Sequence, residues 1–82
     1  MPNRGTSGLD TAVAKRIRVI AAERNMKQAE IADAAGIPRS TFNRYWNGDR
    51  SMTLGDLERI FAALGTSYRQ ESDAIDALLA GE

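Results

Sequence analysis

Three arginines and several small polar side chains are concentrated in the stretch GIPRSTFNRYWNGDR, residues 36–50. Arginine carries a permanent charge and a planar fork of N–H donors, which suits it to phosphates and other planar acceptors. The same stretch contains Phe42, Tyr45 and Trp46, which are side chains that a folded domain tends to bury. One face of this segment is therefore expected to join a core, and another to contact something negatively charged.

The charges are segregated along the chain, although they sum to zero. Residues 1–50 carry nine Lys or Arg against five Asp or Glu, whereas residues 51–82 carry two against six. A basic side attracts a polyanion through its local field even when the net charge is nil. The alternative interpretation is a surface of mixed charges whose segregation has no functional meaning.

The composition disfavours an enzyme. The 82 residues include neither Cys nor His, which removes disulfides, thiol nucleophiles, the usual zinc ligands and the common general base near neutral pH. We therefore predict no catalytic site, no metal site and no cofactor. No apolar run approaches the length of about eighteen residues that a membrane span needs, and the N-terminal MPNRGTSG lacks the apolar stretch of a signal peptide. The expected location is the cytoplasm.

Residues 1–8 have nothing to bury and are interpreted as a flexible arm, and residues 9–82 as one all-α domain of five helices. Helix 1 is predicted from about Asp10, a candidate N-cap, to about Arg24. Its apolar residues recur three and four positions apart and form one stripe. The basic residues of this helix fall largely off the stripe.

Helices 2 and 3 are predicted over residues 28–35 and 38–46. Gly36 follows helix 2 directly, at the position where a helix ending in a left-handed residue favours glycine. Pro38 is placed at the first position of helix 3, since proline loses no hydrogen bond there. The aromatic residues of helix 3 share its inward face, which leaves its polar residues on the other faces.

Helices 4 and 5 are each preceded by a residue that can cap them. Helix 4 is predicted to begin after Thr53, with Asp56 as partner in a capping box, and to end at Gly65. Helix 5 is predicted to be capped by Ser67 and to reach Leu79. Acidic residues in its first turns are favoured by the helix dipole.

The segment QAEIADAAGIPRSTFNRYWNG, residues 28–48, resembles the helix-turn-helix of the lambda repressor and Cro family, a group of small all-helical DNA-binding domains. The resemblance rests on residue types at fixed spacing, namely Gln28, Ile31, Ala32, Gly36, Ile37, Phe42, Tyr45 and the ending Trp46-Asn47-Gly48. It implies a five-helix, lambda-repressor-like domain in which helices 2 and 3 form the motif. The chain departs from the family at Pro38, where a Ser or Thr cap is common. It also departs at Phe42 and Tyr45, which are larger than the residues usual at these buried positions.

The resemblance also implies roles for individual side chains, because in such a motif the second helix lies in the major groove and the first crosses the backbone. The base-contacting positions carried over are Arg39, Ser40, Asn43 and Arg44. The phosphate-contacting positions are Gln28, Thr41, Asn47, Arg50 and Lys27. Arginine can donate to O6 and N7 of guanine together, so a guanine is expected opposite Arg39 or Arg44. Alternatively, these arginines are solvated or paired with Glu30, Asp33 or Asp49.

Family members typically bind a near-palindrome as a homodimer, with recognition helices about 34 Å apart. Helix 5 is a candidate for the dimer contact, through Ile75, Leu78 and Leu79, and completion of the monomer core by these residues is the alternative. Arg4 of the arm is a candidate for minor-groove contact.

These observations predict a sequence-specific transcriptional regulator of a phage or bacterium, a Cro-type repressor whose partner is double-stranded operator DNA. A second hypothesis is the antitoxin of a toxin-antitoxin pair, whose acidic C-terminal helix binds a protein partner. It requires an exposed apolar patch around Ile75 and Leu79. A third is a domain used only for protein contacts, which arginines at positions 39 and 44 argue against.

Overall fold

The structure, a computed structural model, describes residues 8–81. This part of the chain folds into five α-helices and contains no strand: α1 Gly8–Glu23, α2 Gln28–Ala35, α3 Arg39–Asn47, α4 Leu54–Ala63 and α5 Tyr68–Ala80. The predicted all-α fold of five helices is confirmed. Of the proposed arm, only Gly8 is described, and it is the first residue of α1. Arg4 lies outside the described residues.

α1 begins two residues before the predicted cap. Asp10 lies in the first turn of the helix, so its prediction as N-cap is wrong. Its carboxylate instead accepts a hydrogen bond of 2.8 Å from the hydroxyl of Ser51, which joins α1 to the loop before α4. The predicted apolar stripe is buried and packs against α3 and α5.

The turn between α2 and α3 depends on Gly36, which has φ +71°. The next residue, Ile37, donates its backbone N–H to the carbonyl of Ala32 at 3.0 Å and buries its side chain. Pro38 was predicted to be the first helical residue of α3. In the structure it is the N-cap instead. A cap needs a non-helical ψ, and Pro38 has ψ 138°. α3 then runs one residue further than predicted, to Asn47.

One core lies between the helices. Its largest fully buried side chains are Tyr45, Phe42, Phe61, Ile17, Ile20, Ile31, Ile60, Leu64 and Ile75. Trp46, which was expected to face inward, is only partly buried and lies beside Phe42 with ring centroids 5.9 Å apart. Phe42 and Tyr45 are therefore the aromatic residues of α3 that belong to the core, and Trp46 lies at its edge.

The predicted caps of α4 and α5 are present. The hydroxyl of Thr53 accepts from the backbone N–H of Asp56 at 3.0 Å, and that of Ser67 accepts from Gln70 at 3.2 Å. The carboxylate of Asp56 is used elsewhere, by side chains of α3 and α4. The Asp56 side chain was predicted from the sequence to be the second half of a capping box.

α5 is fixed to α1 by a buried acidic residue, Glu71. Its carboxylate accepts from Nε of Arg16 at 2.7 Å and from the hydroxyl of Thr66 at 2.7 Å. The hydrogen bond from Thr66, followed by that from Arg16, lowers the pKa of Glu71 although burial opposes the shift. Sequence reasoning had assigned this residue only to the helix dipole.

The apolar residues of α5 complete the monomer. Ile75 is fully buried, and Leu78 and Leu79 pack partly buried against the core. The alternative that assigned Ile75 to the monomer core is therefore the one that the structure supports. Of the patch that the antitoxin hypothesis requires, Ile75 is buried and Leu79 is partly buried.

Candidate nucleic-acid interface

The outer face of α3 carries the four side chains that were expected to contact bases. Arg39, Ser40, Asn43 and Arg44 are all exposed, whereas Phe42 and Tyr45 of the same helix are buried. The division follows from the helical period, because residues three and four apart lie on one face. α3 is thus amphipathic, with a polar surface of about two turns directed away from the core.

A shallow depression of about 210 Å³ lies between α2 and α3. It is lined by Gln28, Ala29, Ala32, Arg39, Phe42 and Asn43. The structure therefore brings Gln28, the first residue of α2, close to two of the expected base-contacting residues. The α2 residues between them, Ala29 and Ala32, have small side chains that allow this approach.

Arg39 is paired with Asp33 of α2. Nε of Arg39 lies 3.1 Å from one carboxylate oxygen, and Nη2 lies 2.7 Å from the other. The hydrogen bond from Arg39 lowers the pKa of Asp33, and the same bond raises the pKa of Arg39. Among the alternatives from the sequence, pairing with Asp33 is the one that this structure shows for Arg39.

The other basic side chains at this surface have different surroundings. Within residues 8–81, the guanidinium of Arg44 donates no hydrogen bond and forms no ion pair, and Arg50 is exposed just beyond α3. The backbone N–H of Lys27 donates to the carboxylate of Glu30 at 2.8 Å, which occupies one of the amides at the start of α2.

The remaining expected phosphate contacts lie at the edges of α3. The side chain of Asn47 donates to that of Asn43, one turn earlier, at 2.7 Å. Thr41 is partly buried. The positions expected from the sequence thus lie around one helix, with Gln28 and Lys27 at the start of the neighbouring helix.

α3 is held by two contacts that sequence reasoning missed. At its C-terminal end, Nη1 of Arg18 donates to the carbonyl of Trp46 at 2.6 Å. A cation at this end also interacts favourably with the helix dipole. No local pattern could identify Arg18, because the two residues are 28 positions apart.

The second contact joins α3 to α4. The hydroxyl of Tyr45 donates to the carboxylate of Asp56 at 2.5 Å, and Arg59 also pairs with that carboxylate. Burial raises the pKa of Tyr45, and the hydrogen bond to Asp56 adds to the effect. The same hydrogen bond is the main cause of the lowered pKa of Asp56. The buried face of α3 is therefore fixed by a polar bond as well as by packing.

The described part of the chain contains neither a metal-site candidate nor a membrane-spanning helix. Residues 8–81 contain no group of three or more acidic side chains that could hold a metal ion. No helix in this range is long and apolar enough to cross a membrane.

Comparison with known proteins assigns the motif. A family model described as the Cro/C1-type HTH DNA-binding domain matches residues 16–70, which is more than half of the chain. The chain is also similar to a solved structure of the restriction-modification controller protein C.Esp1396I, a tetramer in complex with its natural 35-base-pair operator. The two share 23% sequence identity with a TM-score of 0.83, over 90% of this chain and 97% of that one.

Comparison with curated proteins finds no match. At 23% identity, the likeness to C.Esp1396I supports the lambda-repressor-like fold. The family match extends from the middle of α1 into the start of α5 and includes all of α2 and α3. The chain therefore belongs to the Cro/C1-type helix-turn-helix DNA-binding family and is a DNA-binding transcriptional regulator.

Proposed function

We propose that this protein is a bacterial or phage repressor of the Cro type, which binds a near-palindromic operator as a homodimer. α3 enters the major groove, and occupation of the operator excludes RNA polymerase. The protein acts in the cytoplasm and needs no cofactor. The observation that supports this proposal is the exposed polar face of α3, which carries two arginines over a firmly packed aromatic face.

The roles proposed for the side chains follow their positions on α3. Arg39 and Ser40 begin the helix, and Asn43 and Arg44 lie one turn later, so they are suited to base edges. Gln28, Lys27, Thr41, Asn47 and Arg50 surround this face and are proposed to contact phosphates. The arginines favour guanine, because their forks match its two major-groove acceptors.

The homodimer is proposed to form through α4 and α5. Leu54 is 85% exposed and Tyr68 is also exposed, and a contiguous apolar surface of this kind marks a candidate protein contact. Both line a largely apolar cleft of about 500 Å³ whose walls also include Glu58 and Arg69. Opposite charges on one surface suit a two-fold contact. Glu58 of each copy then meets Arg69 of the other copy.

This surface replaces the contacts expected from the sequence, since Ile75 is buried and Leu78 and Leu79 already pack against the core. Two further facts support association of two copies. The similar controller protein is a tetramer on its operator. The described residues extend 31 Å along their longest axis, so two adjacent copies can place their recognition helices about 34 Å apart.

Selection of bound sites from a random duplex library tests the proposal. We expect wild type to yield a two-fold symmetric motif, and Arg39→Ala to lose the preference at one position of each half-site. Lys15→Ala, which removes an exposed positive charge from α1, is the matched control and should retain the motif. Recovery of no motif from wild type, with only weak, salt-sensitive binding, would overturn the proposal.

The dimer contact has its own test. Leu54→Asp should convert a dimer into a monomer in analytical ultracentrifugation and weaken binding to the full palindrome, because it places charge in an apolar contact. Leu9→Asp is the control, since Leu9 is another exposed leucine, on α1. A Leu54→Asp protein that remains dimeric would exclude the α4–α5 surface as the interface.

A further inference from the structure

We propose that Asp33 is a positioning residue for base recognition, which orients Arg39 so that its Nη1–Nη2 edge faces guanine. This inference rests on the proposed function of α3 as the recognition helix. It assigns to an acidic residue on α2 a part in determining which base is bound. Neither the fold nor the family match assigns such a role to this position.

The geometry of the ion pair defines which donors remain. Asp33 uses both carboxylate oxygens, one on Nε at 3.1 Å and one on Nη2 at 2.7 Å. Bidentate contact of this kind fixes the plane of the guanidinium as well as its position. The Nη1 group and the second hydrogen of Nη2 stay available. These two groups form the other edge of the fork, which is the edge that can donate to O6 and N7 of guanine together.

The exposure of the pair argues against a purely structural purpose. The side chains of Arg39 and Asp33 are 67% and 58% exposed, and an ion pair in such surroundings contributes little to stability. A carboxylate beside a surface that meets phosphates also opposes DNA binding, because like charges repel. Orientation of Arg39 gives this carboxylate a function that offsets the repulsion.

Orientation of Arg39 affects base recognition in two ways, of which the first strengthens the contact and the second favours guanine. A long arginine side chain loses rotamer freedom when it binds, and a partner that already holds it reduces that loss. An oriented fork also presents two donors side by side. Adenine offers one acceptor and one donor in the major groove, so it satisfies only half of the fork.

Asp33→Asn tests the inference, because it removes the charge and one acceptor oxygen while keeping the size of the side chain. Affinities would be measured at one salt concentration for the selected operator, for single-base variants at the position that Arg39→Ala identifies, and for random duplex DNA. We expect the preference for guanine at that position to fall by about five-fold or more. Affinity for random DNA should rise slightly.

Asp49→Asn is the matched control. Asp49 is exposed just beyond the C-terminal end of α3, and it is bonded to the carbonyl of Arg44 through its backbone N–H and not through its carboxylate. Its substitution should raise affinity for random DNA to a similar degree and leave the preference for guanine unchanged. In an Arg39→Ala background, Asp33→Asn should have no further effect on base preference, since the side chain that it orients is missing.

The outcomes separate the two proposals. An Asp33→Asn protein that melts as wild type does and keeps its full preference for guanine would overturn the role of Asp33 but leave α3 as the recognition helix. A wild type that selects no motif would overturn the proposed function, and the inference with it.

Discussion

Two arginine-carboxylate pairs of the same chemistry join different pairs of helices in this molecule. Arg16 and Glu71 join α1 to α5 with 2.7 Å between nitrogen and oxygen, and their side chains are 25% and 10% exposed. Arg39 and Asp33 join α3 to α2 at the same distance, but are 67% and 58% exposed. The difference between the pairs is the amount of water around them.

This difference in solvation indicates that one pair serves the stability of the fold and the other serves DNA recognition. The pair of α1 and α5 is largely removed from water, so the loss of one partner leaves a charge without compensation. The pair of α2 and α3 is solvated, so its charges can be rearranged at little cost when another ligand arrives. We therefore expect substitutions at the first pair to change folding, and those at the second to change DNA binding.

The largest effect is expected from Glu71→Ala. This change leaves the guanidinium of Arg16 without its partner in a partly buried position and should cost about 3–5 kcal/mol of unfolding free energy. Urea denaturation measures it. The control is Asp73→Ala, which removes an exposed acid from the same helix and should change the midpoint little. Equal losses in both variants would show that burial does not distinguish these acids.

A smaller effect is expected when two arginines of the DNA-facing surface are compared. Arg44→Ala should reduce the discrimination at one base pair by about 1–3 kcal/mol. Arg50→Ala should weaken binding to all sequences alike and reduce the slope of affinity against salt by about one. Quantitative binding to operator and random duplexes over a salt series measures both. Parallel losses on every duplex for both variants would mean that Arg44 contacts phosphate.

Acid pH should reduce the stability that Glu71 contributes between α1 and α5, by a smaller amount than the substitutions above. The folded pKa of Glu71 lies below its ordinary value of 4.5. Its stabilisation is therefore complete above that value and is lost as the pH falls through the folded pKa, because protonation removes the charge that Arg16 and Thr66 bind. Thermal melts between neutral pH and about pH 3 should show a steeper acid decline for wild type than for Glu71→Gln. Identical slopes would contradict the assignment of this proton uptake to Glu71.

The smallest effect is expected from Asp33→Asn on folding. The melting temperature of wild type should be retained, because a solvated ion pair contributes little. Calorimetry of the same protein preparation that is used for binding provides the measurement. A clear fall in melting temperature would place this pair among the stabilising contacts and remove the contrast between the two ion pairs.

Local signals were sufficient to predict the end of α2 and the beginnings of α4 and α5. Gly36 follows α2, and both α4 and α5 begin at a hydroxyl cap that was expected from the sequence. These signals act over four residues or fewer. They failed at Asp10 and Pro38, where more than one position was compatible with the same residue type.

Contacts between distant residues could not be predicted in this way. Glu71 is 55 positions from Arg16, and its burial depends on how α5 packs against α1. Pairing of Arg39 with Asp33 was only one alternative among several acids, because the sequence does not specify which helix faces meet. The candidate interface was thus predicted as a set of residues, and its internal pairing required the structure.

The contact of Arg18 with the carbonyl of Trp46 has a consequence for the thermodynamics of association. A helix of nine residues is too short to persist alone in water, yet α3 is fixed at its C-terminal end and along its buried face before any ligand arrives. Binding then requires no coupled folding of the recognition helix. We expect the heat-capacity change of operator binding to match the apolar area covered in a rigid docking, without the excess that accompanies the ordering of a disordered segment.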